Sequence, residues 1–490
     1  MSKDLDLLLV SPGSQNKLYG KLSPNLAAIE PPLWAALLAA FVREKGFAVK
    51  ILDAELDNLS SAETAEKIVN YNPVLAAVVV SGTNPNASTM NMVGAGAILK
   101  ELKSRNASIK TLLTGLHPSA LPERTLKEEE VDFICQGEGF YTITELLETI
   151  KAHPQNRSYK IKGLWYKEGG KIIANPRAEL ISNLDSLPQA AWELLSVEKY
   201  RAHNWHCYGR INKRQPYAAI YTSLGCPFKC TFCCINEIFG GSGIRYRSPE
   251  KVISEIDYLV NNYKVQNIKI IDEMFALNTN HVNAICDLII ERGYDLNIWA
   301  YARIDTVNKE MLTKMKKAGI SWLAFGIESA NQEVRDSVTK GKFSDSDIKR
   351  VIRMTKDAGI HIVGNYIFGL PEDNLETMQS TLDLAKELNC EYSNFYVAMA
   401  YPGSQLYEDA LKEGLKLPES WLGYSQFGED TLPLPTKYLS SAEVLRFRDS
   451  AFKEYHNGDA YLEMMEDKFG KQTVQHIRDM LKQELARRFA

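Results

Sequence analysis

The chain has 490 residues, a formal net charge of −4 and an isoelectric point near 6.2, which leaves no basic footprint and argues against nucleic acid as its main partner. With 45% hydrophobic and 24% charged residues it reads as globular protein with large cores. No apolar run reaches the ~18 residues of a membrane helix, and the short acidic start MSKDLDLLLVSPG is no signal peptide, so the expectation is a soluble, cytoplasmic chain of about three domains.

Residues 1–152 alternate short β-rich runs with helical periodicity, with strands expected at 5–10, 48–52, 75–80, 109–114 and 133–135. Five such strands suit an α/β, flavodoxin-like, doubly wound sheet. Ligands of these sheets lie beyond the carboxyl ends of the strands. The loops there read SPGSQN from Ser11, SGTNPN from Ser81, TGLHPS from Thr114 and QGEG from Gln136. Their Gly, Ser, Thr and Pro content lets backbone approach a large polar ligand closely. A dinucleotide is disfavoured, because no Gly-Xaa-Gly-Xaa-Xaa-Gly follows the first strand. His117 reads equally as a contact in a binding loop and as a histidine packed before Pro118.

Residues 153–215 read as a connection. The alternating run broken at Gly169 and Gly170 is a β-hairpin, followed by an extended stretch to Pro188. His203, His206 and Cys207 cluster, but without zinc spacing, so they read as a loop packed against the core.

From 216 to 408 strands and helices alternate again, with strands expected at 218–223, 267–272, 297–302, 322–326, 361–368 and 392–398. The first ends in YTSLGCPFKCTFCCINEIFGG, which puts Cys226, Cys230 and Cys233 on one short loop. Thiolate is the ligand that iron–sulfur clusters take, and three cysteines leave one iron of a cubane open to a small molecule. A zinc knuckle is the alternative, but it needs a fourth ligand and usually two separated pairs. Cys234 is out of step with the pattern, and Cys135, Cys207, Cys286 and Cys390 are scattered, reduced and structural in expectation. Residues 409–490 are helical in pattern, apart from an aromatic and Pro-rich loop at 421–438 whose Tyr424, Phe427 and Tyr438 are candidates to wall a substrate pocket.

The cysteine spacing, with Phe232 just before the third cysteine, resembles the signature of the radical S-adenosylmethionine (SAM) enzymes. The resemblance implies a partial (β/α)6 barrel with its site at the carboxyl ends of the strands, a [4Fe-4S] cluster held by Cys226, Cys230 and Cys233, and cleavage of SAM to a 5′-deoxyadenosyl radical. Matching SAM-contact positions are Phe232, Asp272, Glu273, Arg303, Glu328 and Asn365, the last in NYIFGLP. For Arg303 and Glu328 a mutual salt bridge is the competing reading. Tyr401–Ser404 resembles a further motif, read as a turn.

The four amino-terminal loops, with Glu30, Pro31 and Pro32 opening the first helix, resemble the cobalamin-binding domain that precedes the core in one large subgroup. Carried over, cobalamin contacts fall on Ser11, Pro12, Ser81, Gly82, Thr83, Thr114, Gly115, His117, Gly137, Glu138 and Gly139. The Asp-Xaa-His-Xaa-Xaa-Gly motif is absent from the first loop, so no histidine there can ligate cobalt. The resemblance implies a cobalamin-dependent C-methyltransferase acting on a small-molecule or lipid-like substrate, served by an electron donor such as flavodoxin or ferredoxin. Ring formation or rearrangement without methylation is the enzymatic alternative, and a cluster-bearing scaffold is the alternative of another class.

Overall fold

The run Leu75–Val80, LAAVVV, has no polar side chain and is buried along its whole length, as a central strand covered on both faces must be. The computed structural model, which describes residues 4–13, 27–82, 88–341 and 343–490, places it as β3 of a sheet whose other parallel strands are β1 (Leu7–Ser11), β2 (Val49–Asp53), β4 (Lys110–Gly115) and β5 (Phe133–Cys135). The order is β2-β1-β3-β4-β5. The expected hairpin forms as β6 (Leu164–Glu168) and β7 (Lys171–Ala174), and it extends this same sheet antiparallel from β5. Thr83, Ser14, Gln15 and Asn16 of the candidate loops lie outside the described residues.

The helix Leu33–Glu44 is buried at every position from Leu33 to Val42. A helix apolar on all sides belongs between two layers. Its Trp34 meets Phe140 of the first half at 5.7 Å and Tyr221 of the second at 6.0 Å.

The second half is a six-stranded parallel sheet in the order β15-β14-β13-β12-β11-β8: β8 (Tyr217–Ile220), β11 (Asn267–Ile270), β12 (Asn297–Arg303), β13 (Ile320–Glu328), β14 (His361–Phe368) and β15 (Tyr392–Val397). A short ribbon, β9 (Ser223–Leu224) with β10 (Arg245–Tyr246), brackets the cysteine loop. The sheet is not closed, so β8 and β15 are edges. The edge backbone of β15 is satisfied by side chains, since Gln426 both donates to and accepts from Val397 and Arg448 donates to the Phe395 carbonyl.

Trp205 plugs the base of the barrel, with its ring 5.1 Å from Trp299, 5.6 Å from Trp322 and 5.9 Å from Tyr392. In the His203–Cys207 segment buried His206 meets the Asn297 carbonyl at 3.0 Å, while His203, Asn204 and Trp205 also line a cavity. The carboxyl-terminal helices Ser441–His456, Asp459–Phe469 and Lys471–Leu481 cover the β15 side. Among the described residues no helix is long and apolar enough to cross a membrane.

Candidate active site

The cysteine loop is fixed at its root. Gly225 turns at φ +95°, and a Cβ there would stand 2.4 Å from the Gly243 carbonyl oxygen, so only glycine fits. Gly243 N–H donates to the Cys226 carbonyl, Cys233 N–H to that of Cys230, and the Asn236 amide to that of Phe228. All eight cysteines are free thiols, and Cys226, Cys230 and Cys233 are partly exposed. Burial pushes the Cys226 thiol up to about 11 and Cys233 up to about 12, with the charge of the other loop cysteines raising both further. Metal binding there must displace protons. Among the described residues no three His, Cys, Asp or Glu side chains are grouped as donors to a single ion.

The adjacent carboxylates Asp272 and Glu273 part company. Asp272 is fully buried: Oδ1 accepts from Thr222 N–H at 2.7 Å, and Oδ2 accepts from the hydroxyls of Thr222 and Ser223. Both oxygens tie the end of β11 to the root of the cysteine loop, and Asp272 does not line the cavity. Burial raises it to about 6. Glu273 faces the cavity and accepts from Gly225 N–H at 3.3 Å. Burial pushes it up to about 8, so near neutrality it presents a largely protonated carboxyl.

Arg303 and Glu328 do not pair with each other. The Arg303 guanidinium forks onto Asp305 at 2.9 and 3.1 Å, donates to the Lys340 carbonyl and lies 3.8 Å over the Phe228 ring. Glu328 ends β13 at φ +64°, just past a register shift against β14, and its Oε1 meets Lys340 Nζ at 2.6 Å. A non-glycine residue in that conformation beside a bulge is a re-aimed side chain. Lys340 Nζ also lies 5.9 Å from the Phe232 ring. Asn365 donates to the Phe325 carbonyl and accepts from Asn394.

One cavity of about 650 Å³ joins the two halves. Ser11, Pro12, Ser81 and Gly82 at the ends of β1 and β3 form one wall, while Phe232, Glu273, Arg303, Glu328, Lys340 and Asn365 form the facing one. Below them the lumen carries a buried charge cluster missed in the sequence: Lys269 Nζ meets Glu30 at 3.2 Å, and the Tyr217 hydroxyl meets the same carboxylate at 3.0 Å. Lys340 and Lys269 left no sequence signal, because each acquires meaning only from a partner brought in by the fold.

The remaining amino-terminal candidates do not line the cavity. Gly115 (φ +123°) lets β4 approach the Val80 carbonyl, Gly139 (φ +91°) begins the helix Phe140–Ala152 against Leu38, and Gly137 N–H donates to the Ser119 hydroxyl. Thr114 is buried within β4. Glu138 is a strut between the halves: its carboxylate takes Arg245 at 2.7 Å and Ile181 N–H at 2.9 Å. His117 is packed, 1% exposed, with its ring 4.4 Å from Trp421 and Nδ1 3.3 Å from the Thr89 hydroxyl. Burial lowers it to about 3, so it is neutral, and its Nε2 has no hydrogen-bond partner among the described residues. Of the aromatic loop, Phe427 lines the cavity, Tyr424 is buried and Tyr438 is 62% exposed, so Tyr438 is no pocket wall. Ser404 of the Tyr401–Ser404 turn caps the helix Gln405–Lys412.

Residues 220–385 match the Radical SAM superfamily, and residues 24–147 match the B12 binding domain. The "Uncharacterized methyltransferase PH0819" of Pyrococcus horikoshii is 30% identical over 456 residues, 93% of each chain. The chain belongs to the cobalamin-binding radical SAM enzymes. Its cofactors are accordingly a [4Fe-4S] cluster, SAM and cobalamin. The anaerobic magnesium-protoporphyrin IX monomethyl ester cyclase of Rubrivivax gelatinosus is 29% identical over 400 residues, 80% of this chain and 68% of that one. The fold is shared with the radical SAM methyltransferase TsrM from Kitasatospora setae, solved with cobalamin and a [4Fe-4S] cluster bound: TM-score 0.68, 17% identity, 99% of this chain and 100% of that chain.

The residues present fit these groups. Three unpaired thiols on one loop with mutually felt charge suit three corners of a cluster. The cavity wall at the ends of β1 and β3, with its serine, glycine and proline lining, suits close approach of a large polar ligand.

Proposed function

We propose that this enzyme is a methyltransferase, moving a methyl group from methylcobalamin to an unactivated carbon of a small molecule. What carries the reading is the cavity that the strand ends of the cobalamin-binding half line together with Phe232 of the cysteine loop and the polar residues Glu273, Arg303, Glu328 and Lys340. The three cofactors together supply a carbon-centred radical and a methyl group to quench it; the chain supplies placement.

In this reading Cys226, Cys230 and Cys233 hold three irons, and Asp272 keeps their loop in register with β11. Glu273 offers a carboxyl that can donate or accept a hydrogen bond, and the Lys340–Glu328 pair offers one cation and one anion to the polar groups of SAM. Arg303, already forked onto Asp305, sets the position of the Lys340 backbone. Ser11, Pro12, Ser81 and Gly82 seat the corrinoid, and Glu138 with Arg245 fixes its half of the cavity against the other. A reduced flavodoxin or ferredoxin is the matching source of electrons.

A cyclase reading has in its favour three relatives named as cyclases, at 29%, 26% and 25% identity. The test is anaerobic turnover of reconstituted enzyme with methyl-deuterated SAM and cell extract. A methyltransferase of this kind forms S-adenosylhomocysteine alongside 5′-deoxyadenosine and puts deuterium into a product. 5′-Deoxyadenosine without S-adenosylhomocysteine favours the cyclase reading.

A further inference from the structure

The cavity does not end at the cofactor-facing walls. It continues past the free edge of β15, between residues 425–427 and the last helix with its following segment, where Phe427, Phe452, Met480, Leu481 and Leu485 line it. The charged groups along this stretch are already spent. Arg448 is held by Asp449 at 2.7 Å and by the Phe395 carbonyl, and it lies over the Phe427 and Phe452 rings. Asp449 is in turn forked by Arg487 at 2.9 and 3.0 Å. What remains facing the void is mainly apolar, with Ser425, Gln426 and Gln483 as its uncharged polar lining, until the outer rim, where exposed Lys453 and Glu484 stand 4.0 Å apart.

Neither SAM nor a corrinoid at the strand ends needs an apolar arm running the length of an edge strand. Cavities of about 300–1,000 Å³ lined mainly by apolar groups are ligand sites, and leaving such a lining in contact with water costs free energy that an apolar occupant recovers. The gap between residues 425–427 and residues 480–485 also gives a substrate a way in that does not require the two halves to part, and Gln426 and Arg448 already take up the outward backbone groups of Val397 and Phe395 there.

We propose that this arm is the entry channel and body-binding subsite for a substrate with an elongated, predominantly hydrocarbon body. The lipid-like molecule enters between Lys453 and Glu484 and brings its reacting carbon to the cofactors beside Glu273. The assignment rests on the methyltransferase reading in the sense that the occupant is the enzyme's substrate, and it specifies the substrate's class.

The experiment uses the full chain, reconstituted anaerobically, titrated with cis-parinaric acid, a polyene fatty acid that fluoresces in apolar surroundings. The expected result is saturable, stoichiometric binding that Leu481→Glu and Leu485→Glu each weaken about tenfold or more, since each sets a carboxylate at a half-buried position against the hydrocarbon body of the ligand. Leu411→Glu, on an exposed position outside the channel, should bind as the unaltered protein does. Should the glutamate variants fail to fold, photo-crosslinking of a diazirine fatty acid to the unaltered enzyme decides, with labels expected on peptides carrying Phe427, Phe452 or residues 480–485. Absent or non-saturable binding, binding indifferent to both glutamates, or labels confined to other surfaces overturns the proposal. SAM cleavage is followed in parallel. A protein that cleaves SAM but ignores the fatty acid refutes the channel alone, and one that binds the fatty acid but never cleaves SAM refutes the radical function alone.

Discussion

Lys340 Nζ lies 2.6 Å from Glu328 Oε1, and both side chains are more than nine-tenths buried at the wall of the cavity. A buried pair broken on one side leaves an uncompensated charge, at a cost of roughly 3–5 kcal/mol, whereas removing both partners costs much less. Thermal unfolding of the cluster-free protein should therefore show Lys340→Met strongly destabilised and Lys340→Met/Glu328→Gln closer to the unaltered chain. In cluster-loaded enzyme the double variant should also bind SAM more weakly by calorimetry. Equal stability of single and double variants would show that the pair is not energetically coupled.

Replacing Cys226, Cys230 or Cys233 by Ala should each abolish the visible absorbance of the reconstituted cluster and the cleavage of SAM. Cys234→Ala should leave both, because Cys234 is buried in the apolar core whereas the other three are partly exposed. Iron and sulfide analysis with 5′-deoxyadenosine quantitation checks both halves of the prediction.

Asp272→Ala strands the Thr222 amide and two hydroxyls that now point at a carboxylate. Loss of several buried hydrogen bonds to a charged group is worth about 2–4 kcal/mol. The expected phenotype is poor cluster retention with unaltered SAM affinity in whatever fraction is loaded. A clean loss of SAM affinity at full cluster occupancy would restore Asp272 as a ligand contact.

Glu391 anchors the carboxyl-terminal helices to the barrel, with Ile362 N–H at 2.8 Å, Lys468 at 2.5 Å and His361 at 3.6 Å. Burial alone would raise its pKa, but the His361 and Lys468 contacts outweigh it and hold the carboxyl at about 2, below its ordinary 4.5. A depressed carboxylate stabilises the fold fully above its unfolded value and loses that contribution as pH falls from about 4.5 towards about 2. The melting-temperature gap between the unaltered chain and Glu391→Gln should thus be widest near neutrality and close on acidification. A gap that does not change with pH contradicts the assignment.

Much of this was legible in advance where the signal is local. The cysteine loop is a spacing within one turn of chain, and the parallel strands are apolar runs bounded by turn residues. The hairpin was legible at Gly169–Gly170 but its docking onto β5 was not, since pairing is decided by the partner edge. Asp272 and Glu273 lie past the end of β11, in a stretch where no strand alternation fixes which way each side chain points, so the sequence could not separate their roles. His117 was undecidable because the ring that covers it, Trp421, arrives from the far end of the chain, itself held by Arg124 at 4.4 Å. Glu138 looked like a loop contact and proved to be a strut, because its partner Arg245 lies in the other half.

Residues of both halves of the chain line one cavity, and in the proposed reading each half presents its cofactor there. The most direct test of that reading is to reconstitute the cluster anaerobically with methylcobalamin or hydroxocobalamin, desalt, and measure retained corrinoid together with cleavage of SAM. Stoichiometric corrinoid and 5′-deoxyadenosine from the same preparation is the predicted result, with Ser81→Trp losing the corrinoid but not the cluster. SAM cleavage by a protein that retains no corrinoid would contradict it.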